Sequence, residues 1–103
     1  MTKEFGTERI RNTPISEIAI VGAALGAAMT GMVPVAELMY VDLAGCAMDQ
    51  IANQCAKLRS MSGGPTEPPM VIRTQQGTGR SPAAQRTPSA QALVATIPGL
   101  KGG

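Results

Sequence analysis

Few side chains in this chain could do chemistry, and Glu17 has the most suggestive position among them. It follows Ser16, a good helix N-cap, and would lie in the first helical turn, where the helix dipole favours a negative charge. On the residues alone, Glu17 is more simply a helix-start carboxylate than a catalytic group. A catalytic role would require a desolvated cleft in which the carboxyl group can share one proton.

Histidine and cysteine chemistry is largely excluded. The sequence contains no histidine, which removes Ser-His-Asp and Cys-His nucleophiles and every metal site with a histidine ligand. The two cysteines, Cys46 and Cys55, are nine residues apart, a spacing that matches no zinc or redox motif. On one helix they would face opposite sides and could not bridge, so we expect free, buried thiols and no metal site.

Length and composition restrict the chain to one small domain with a modest core. It has 103 residues, of which 44% are hydrophobic but only 2% aromatic, so aliphatic and methionine side chains must fill the core. A chain of this size buries only about two thirds of its unfolded surface. We therefore expect a partner subunit or self-association.

Charge and hydropathy argue against two kinds of partner. The net charge of +2 comes with no basic helix face and no interleaved aromatic residues, so we expect no nucleic-acid binding. Residues 18–36 are uncharged and nearly long enough to span a bilayer, but Thr30, Gly31 and Pro34 interrupt them. We read them as a helix, a turn and a strand, with a membrane-associated peptide as the remote alternative. Residues 1–12 lack a signal-peptide apolar stretch, so we expect a cytoplasmic chain.

The hydrophobic pattern predicts alternating strands and helices. Strands are predicted at 8–12, 33–40 and 70–74, and helices at 18–30, 42–59 and 89–96, with connections over 60–69 and 75–84. Such alternation implies crossover connections and a mostly parallel sheet. About three strands are fewer than a complete doubly wound domain usually has. The predicted class is therefore α/β, a partial doubly wound sheet flanked by helices.

The helix predicted over 18–30 is apolar on all sides and contains Gly22 and Gly26. Each glycine costs about 1 kcal/mol relative to alanine inside a helix. That cost favours close packing of this helix on more than one side.

Several segments together resemble one enzyme family. They read RNTPISE at 11–17, VGAALGAAM at 21–29, PVAE at 34–37, AMDQI at 47–51, AKLR at 56–59, MSGG at 61–64, VIR at 71–73 and IPGLK at 97–101. The chain resembles the beta subunit of the thiamine diphosphate-dependent decarboxylating component of 2-oxoacid dehydrogenase complexes, which act on pyruvate, branched-chain 2-oxo acids or acetoin. The stretch RTQQGTGRS at 73–81 looks more like the acetoin type than the pyruvate type.

The resemblance implies a fold and a site. Residues 1–103 would form a single, incomplete transketolase-like pyrimidine-binding domain. Glu17 matches the glutamate that hydrogen-bonds a ring nitrogen of the aminopyrimidine of thiamine diphosphate and favours its imino tautomer. Met39 and Leu43 match positions that pack against the pyrimidine, the second commonly phenylalanine in the family. On the residues alone, Met39 and Leu43 are ordinary core residues.

The resemblance also implies partners. In the family, the alpha subunit holds magnesium and the diphosphate through a motif that this chain lacks, so thiamine diphosphate would bind across an interface with that subunit. Self-association is also expected. Docking of a dihydrolipoyl acyltransferase core is not, because the family's second domain, which docks that core, does not follow in this chain.

Departures from the family leave a second function open. Arg86 stands where the family has an active-site histidine, and an arginine stays charged and cannot do the same proton chemistry. The family's upstream strands are missing as well, so the chain reads as a truncated and partly diverged copy. We expect the pyrimidine-binding portion of a beta subunit, inactive alone. The alternative is a non-catalytic truncated homologue that acts as an interaction module or is a decayed fragment.

Overall fold

Two short parallel strands organise the part of the chain that the structure describes. This computed structural model describes residues 1–77 and 89–102. Strand β1 (Val35–Leu38) pairs with strand β2 (Val71–Thr74). The helical elements in chain order are α1 (Thr2–Arg9), α2 (Glu17–Met29), a 3-10 helix (Val41–Ala47), a π-helix (Asp49–Cys55), α3 (Ala56–Met61) and α4 (Gln91–Ala95). The parallel strands and the helices together confirm the predicted α/β class.

The sheet is smaller and more exposed than the sequence predicts. The described residues contain two strands, because residues 8–12 lie at the end of α1 and just after it, exposed except for Ile10. Along β1, Ala36 and Leu38 are buried whereas Val35 and Glu37 are exposed. The buried strand predicted over 33–40 is therefore shorter than expected, and only one of its faces is buried. Helices cover the face that carries Ala36 and Leu38, and the opposite face is open.

Helix α2 forms where the sequence predicts it. Ser16 precedes it with extended backbone (φ −155°), and the helix ends at Thr30, whose hydroxyl donates to a carbonyl one turn earlier at 2.8 Å. Positions at the helical period are buried against β1 and the following helical segment, namely Val21, Leu25 and Ala28. The opposite side is exposed within the described residues. The expected packing on more than one side is not seen there.

Residues 41–61 form one continuous helical segment whose winding changes from 3-10 to π and then to α. Val41 and Ala47, both buried, are six residues apart, which is two full turns at three residues per turn and keeps them on one face. Ile51 and Ala56, also buried, are five apart, and the Ala56 N–H donates to the Ile51 carbonyl in π fashion. The predicted helix over 42–59 is thus correct in extent but not in winding, because core contacts decide which residues face inward.

The core lies between α2, the 41–61 segment and the inner face of the sheet. Its centre consists of Val21, Leu38, Ala47 and Ile51. The last described residues return to this core through Leu100, which packs against it after helix α4. The predicted final helix over 89–96 is confirmed as the shorter α4.

Within residues 1–77 and 89–102, no helix combines the length and apolar character needed to cross a bilayer. The uncharged stretch 18–36 divides into α2, a turn and β1, as predicted. Most of the loop predicted over 75–84, and Arg86 with it, lies outside the described residues.

Candidate functional site

The carboxyl ends of the two strands form the edge of the sheet at which a site is expected. Ligands of open α/β sheets bind outside the carboxyl ends of the strands. Here β1 and β2 are parallel, so Leu38 and Thr74 end at the same edge, and just beyond them the Val41 N–H donates to the Gln75 carbonyl at 3.0 Å. We call this region the carboxyl edge.

Helix α2 begins at the carboxyl edge. A five-residue connection, residues 30–34, joins the end of α2 to the start of β1, and the two elements pack against each other. Val21, near the start of α2, meets Leu38, the last residue of β1, in the core. The helix therefore runs antiparallel to the strand, and its first residue, Glu17, lies at the same edge as the end of β1.

Glu17 is partly buried in the first turn of α2. Its carboxylate makes no hydrogen bond or ion pair with another residue of the described ranges. The large apolar residues that flank Glu17 in the sequence are open to solvent, since Ile15 is 89% exposed and Ile18 is 48% exposed. A partly buried carboxyl group that lacks a partner among the described residues is suited to form a hydrogen bond with a group that another molecule brings.

Met39 and Leu43 also lie at the carboxyl edge. Met39 is the first residue after β1 and is 58% exposed, so its interpretation as an ordinary core residue is wrong. Leu43 is partly buried in the first turn of the 41–61 segment, and its N–H donates to the Tyr40 carbonyl at 3.1 Å. The topology thus brings all three predicted site residues to one edge, and their contact with a cofactor stays a prediction.

Two buried oxygens at this edge were not singled out from the sequence. Asp42 Oδ1 and Thr74 Oγ1 are buried and have no hydrogen-bond partner among the described residues. Leaving such an atom unpaired costs about 1–3 kcal/mol, and water or a ligand commonly satisfies it. The sequence predicts Asp42 as a helix cap, but Tyr40 occupies the N-cap position and no side chain caps the segment. Nothing in the sequence singles out Thr74, because its position at the carboxyl edge depends on where β2 ends.

The thiols and the potential metal ligands stand apart from this arrangement. Cys46 and Cys55 are both free, as predicted. Cys55 is partly buried, but Cys46 is exposed, so the predicted burial is wrong for Cys46. The Cys55 thiol donates to the Met70 thioether at 3.5 Å, and burial raises the pKa of this thiol. In the described ranges, no three histidine, cysteine, aspartate or glutamate residues lie close enough together to hold a metal ion.

Comparison with known proteins identifies the family. The family described as "Transketolase, pyrimidine binding domain" matches residues 1–102. The chain is 48% identical, over 98% of its length, to the acetoin:2,6-dichlorophenolindophenol oxidoreductase subunit beta of Bacillus subtilis (strain 168), of which it covers 30%. It is 43% identical, over 98% of its length, to the pyruvate dehydrogenase E1 component subunit beta of Rhizobium meliloti (strain 1021), of which it covers 22%.

The chain thus spans less than a third of the length of these relatives. A 2-oxoisovalerate dehydrogenase subunit beta of Bacillus subtilis (strain 168) is similar in the same way, with 40% identity over 96% of this chain and 30% of that protein. The matched region includes Glu17, α2, both strands and the 41–61 segment, so it contains the whole carboxyl edge. On this evidence the chain belongs to the family of transketolase pyrimidine-binding domains.

Proposed function

We propose that this chain supplies the pyrimidine-binding part of the beta subunit of a thiamine diphosphate-dependent 2-oxoacid or acetoin dehydrogenase. The observation that carries the proposal is the position of Glu17, a partly buried carboxylate without a partner in the described ranges, at the carboxyl edge. It lies in a chain whose residues 1–102 match the pyrimidine-binding family.

The groups at the carboxyl edge suit an aminopyrimidine. Such a ring carries an amino group that can donate hydrogen bonds and ring nitrogens that can accept them. The edge offers the Glu17 carboxyl group and the two buried unpaired oxygens of Asp42 and Thr74. Met39 and Leu43 offer apolar surface beside these polar groups. An orphaned acceptor gains most from a ligand donor, because the cost of its burial is already present.

Glu17 has one task in this proposal, which is to hold a proton between its carboxyl oxygen and a ring nitrogen. A position on the first turn of a helix fixes the backbone of this residue, so the carboxyl group can be aimed with little loss of entropy on binding. When bound, thiamine diphosphate supplies the electron sink for cleavage of a bond next to a carbonyl group. Met39 and Leu43 orient the ring and exclude water from the contact.

A second chain must cover Glu17 for this chemistry. Proton sharing by a carboxyl group requires desolvation, and this chain leaves Ile15 and Ile18 uncovered on either side of Glu17. We propose that the alpha subunit of the same dehydrogenase covers them and carries the magnesium ion and the diphosphate group. The chain alone is then expected to show no turnover.

The test is thiamine diphosphate binding to this chain assembled with an alpha subunit encoded in the same genome. We expect calorimetric titration with magnesium to show binding that Glu17→Gln abolishes. The matched control is Glu8→Gln, which removes an exposed carboxylate of α1 that approaches Arg11 at 3.8 Å. Binding by Glu17→Gln that equals binding by the wild type would end the assignment.

The second candidate function is a non-catalytic interaction module. The exposed apolar side chains around α2 favour it, since Ile15, Met32 and Val33 are 89%, 60% and 73% exposed. This candidate predicts, in size-exclusion chromatography, a chain that associates with itself and does not co-elute with the alpha subunit. Co-elution with the alpha subunit in a cofactor-dependent complex would contradict it.

A further inference from the structure

The site at the carboxyl edge has two helical walls that run in the same direction. Helix α2 starts at this edge with Glu17, and the 41–61 segment leaves the same edge with Leu43 in its first turn. Both run back along the inner face of the sheet, and they pack against each other over the 3-10 and π stretches. The separation of the walls therefore sets the distance between the groups carried by Glu17 and Leu43.

At Gly22 the two walls leave little room for a side chain. A Cβ atom added at Gly22 would lie 3.1 Å from Oε1 of Gln50, 3.5 Å from its Cδ and 3.8 Å from its Cγ. The end of the Gln50 side chain thus lies beside the space that a side chain at position 22 would need. The amide nitrogen of Gln50 is engaged, because Nε2 donates to Asp49 Oδ2 at 3.3 Å. The second glycine of the helix, Gly26, is different, because an added Cβ would meet no atom within 4 Å.

From these contacts we infer that Gly22 and Gln50 are positioning residues, which together set the separation of the two walls and thereby aim Glu17. This inference rests on the proposed function. Gly22 permits the approach because it has no side chain, and Gln50 limits it because its amide is the surface that the helix touches. A glycine inside a helix lowers its stability. The contact with Gln50 explains why a glycine stands at position 22, and nothing in the structure explains Gly26.

Adding one methyl group at position 22 is expected to raise the stability of the fold and to weaken cofactor binding. Gly22→Ala gains helix propensity, which raises the melting temperature, but the new Cβ must displace either the Gln50 amide or the start of α2 by a few tenths of an ångström. Displacements near 1 Å at a reacting centre can lower the reaction rate about a hundredfold. We expect the smaller displacement here to weaken cofactor binding roughly five- to tenfold. A purely structural role would not separate the two readouts.

The experiment is a double-mutant cycle in the assembly of this chain with its alpha subunit, titrated with thiamine diphosphate and magnesium. Gly22→Ala is compared with wild type, with Gln50→Ala and with the double variant, and thermal unfolding is recorded for each. The matched control is Gly26→Ala, which gains the same propensity without a contact. We expect Gly22→Ala alone to lose affinity, and to lose little further affinity once Gln50→Ala has made room.

A second readout needs no cofactor. Cys46 is exposed on the 41–61 segment, so a nitroxide label can be attached there in a Cys55→Ala background. Paramagnetic relaxation of the backbone amide protons of Glu17 and Ile18 then reports the separation of the walls. We expect these rates to change in Gly22→Ala, to return toward the wild-type rates in the double variant and to stay unchanged in Gly26→Ala.

The outcomes separate the two proposals. If Gly22→Ala matches Gly26→Ala in both affinity and relaxation rates, the positioning role is overturned, while the role of Glu17 still stands on Glu17→Gln. If the wild-type assembly binds no thiamine diphosphate, the proposed function is overturned. The relaxation rates would then decide alone whether the Gly22–Gln50 contact sets the separation of the walls.

Discussion

At the scale of single residues, the sequence predicts where a residue lies in its helix or strand better than it predicts what surrounds the side chain. Glu17 is placed correctly at a helix start because an N-cap and a first-turn carboxylate are local signals. Met39 is exposed although its type suggests a core position, because its burial depends on what lies beyond the end of β1. The unpaired oxygens of Asp42 and Thr74 depend on the meeting of two distant segments, which no local pattern reports.

The partly buried thiol of Cys55 gives a prediction about alkaline pH. Burial raises its pKa above the ordinary value of 9.0, so the folded state disfavours the thiolate. The resulting stability is present below pH 9 and is lost as pH rises through the folded-state pKa. We expect the melting temperature, measured with reductant, to fall less steeply above pH 9 in Cys55→Ala than in wild type.

The control for that experiment is Cys46→Ala, which removes an exposed thiol and should keep the wild-type slope. Because lysine and tyrosine residues titrate in the same range, the informative quantity is the difference between the two cysteine variants. Equal slopes for Cys55→Ala and Cys46→Ala would show that the Cys55 environment does not distinguish its two protonation states.

At the scale of elements, the sequence predicts which segments are helix or strand, but not how the helices wind. The extents of α2 and of the 41–61 segment follow from apolar periodicity and from helix-ending residues. The 3-10 and π winding of the second segment follows from spacings of six and five residues between buried positions, which an α-helical pattern cannot satisfy. These spacings become visible only once the core partners of Ala47 and Ile51 are known.

The contact between the C-terminal residues and the start of α3 gives a prediction at this scale. Gly99 has a φ of 97°, and a Cβ built on it would overlap the backbone carbonyl of Ala56. Neither backbone can move without disturbing the packing of Leu100 on the core. Gly99→Ala is therefore expected to lower the free energy of unfolding by about 2–4 kcal/mol, measured by urea denaturation.

Gly63→Ala is the matched control for this variant. Gly63 has a φ of 75° but no atom within 4 Å of an added Cβ, so its substitution reports backbone strain alone, about 1–2 kcal/mol. The excess loss in Gly99→Ala measures the contact with α3. If the two variants lose the same amount, the C-terminal residues do not press against Ala56 in solution.

At the scale of the whole molecule, the sheet has one covered face and one open face. On the open face, Val35 is 63% exposed and Val71 is 53% exposed, beside an ion pair in which Arg73 and Glu37 approach at 3.1 Å. Parallel sheets are ordinarily covered on both faces. The core is small and nearly without aromatic side chains, so marginal stability in isolation is the expected consequence.

Under the proposed function, marginal stability would make the alpha subunit a determinant of folding as well as of cofactor binding. A partner that binds only the folded chain stabilises it by about 2.7 kcal/mol when its free concentration is a hundred times the dissociation constant. We therefore expect the melting temperature of this chain, followed by a label on Cys46, to rise with the concentration of alpha subunit. Glu17→Gln should retain this rise in the absence of thiamine diphosphate, because in the proposed assembly the exposed residues Ile15 and Ile18, rather than the carboxylate, supply the surface that the alpha subunit covers. Replacement of both isoleucines by serine should abolish it, and a rise that survives that replacement would place the alpha subunit elsewhere on the molecule.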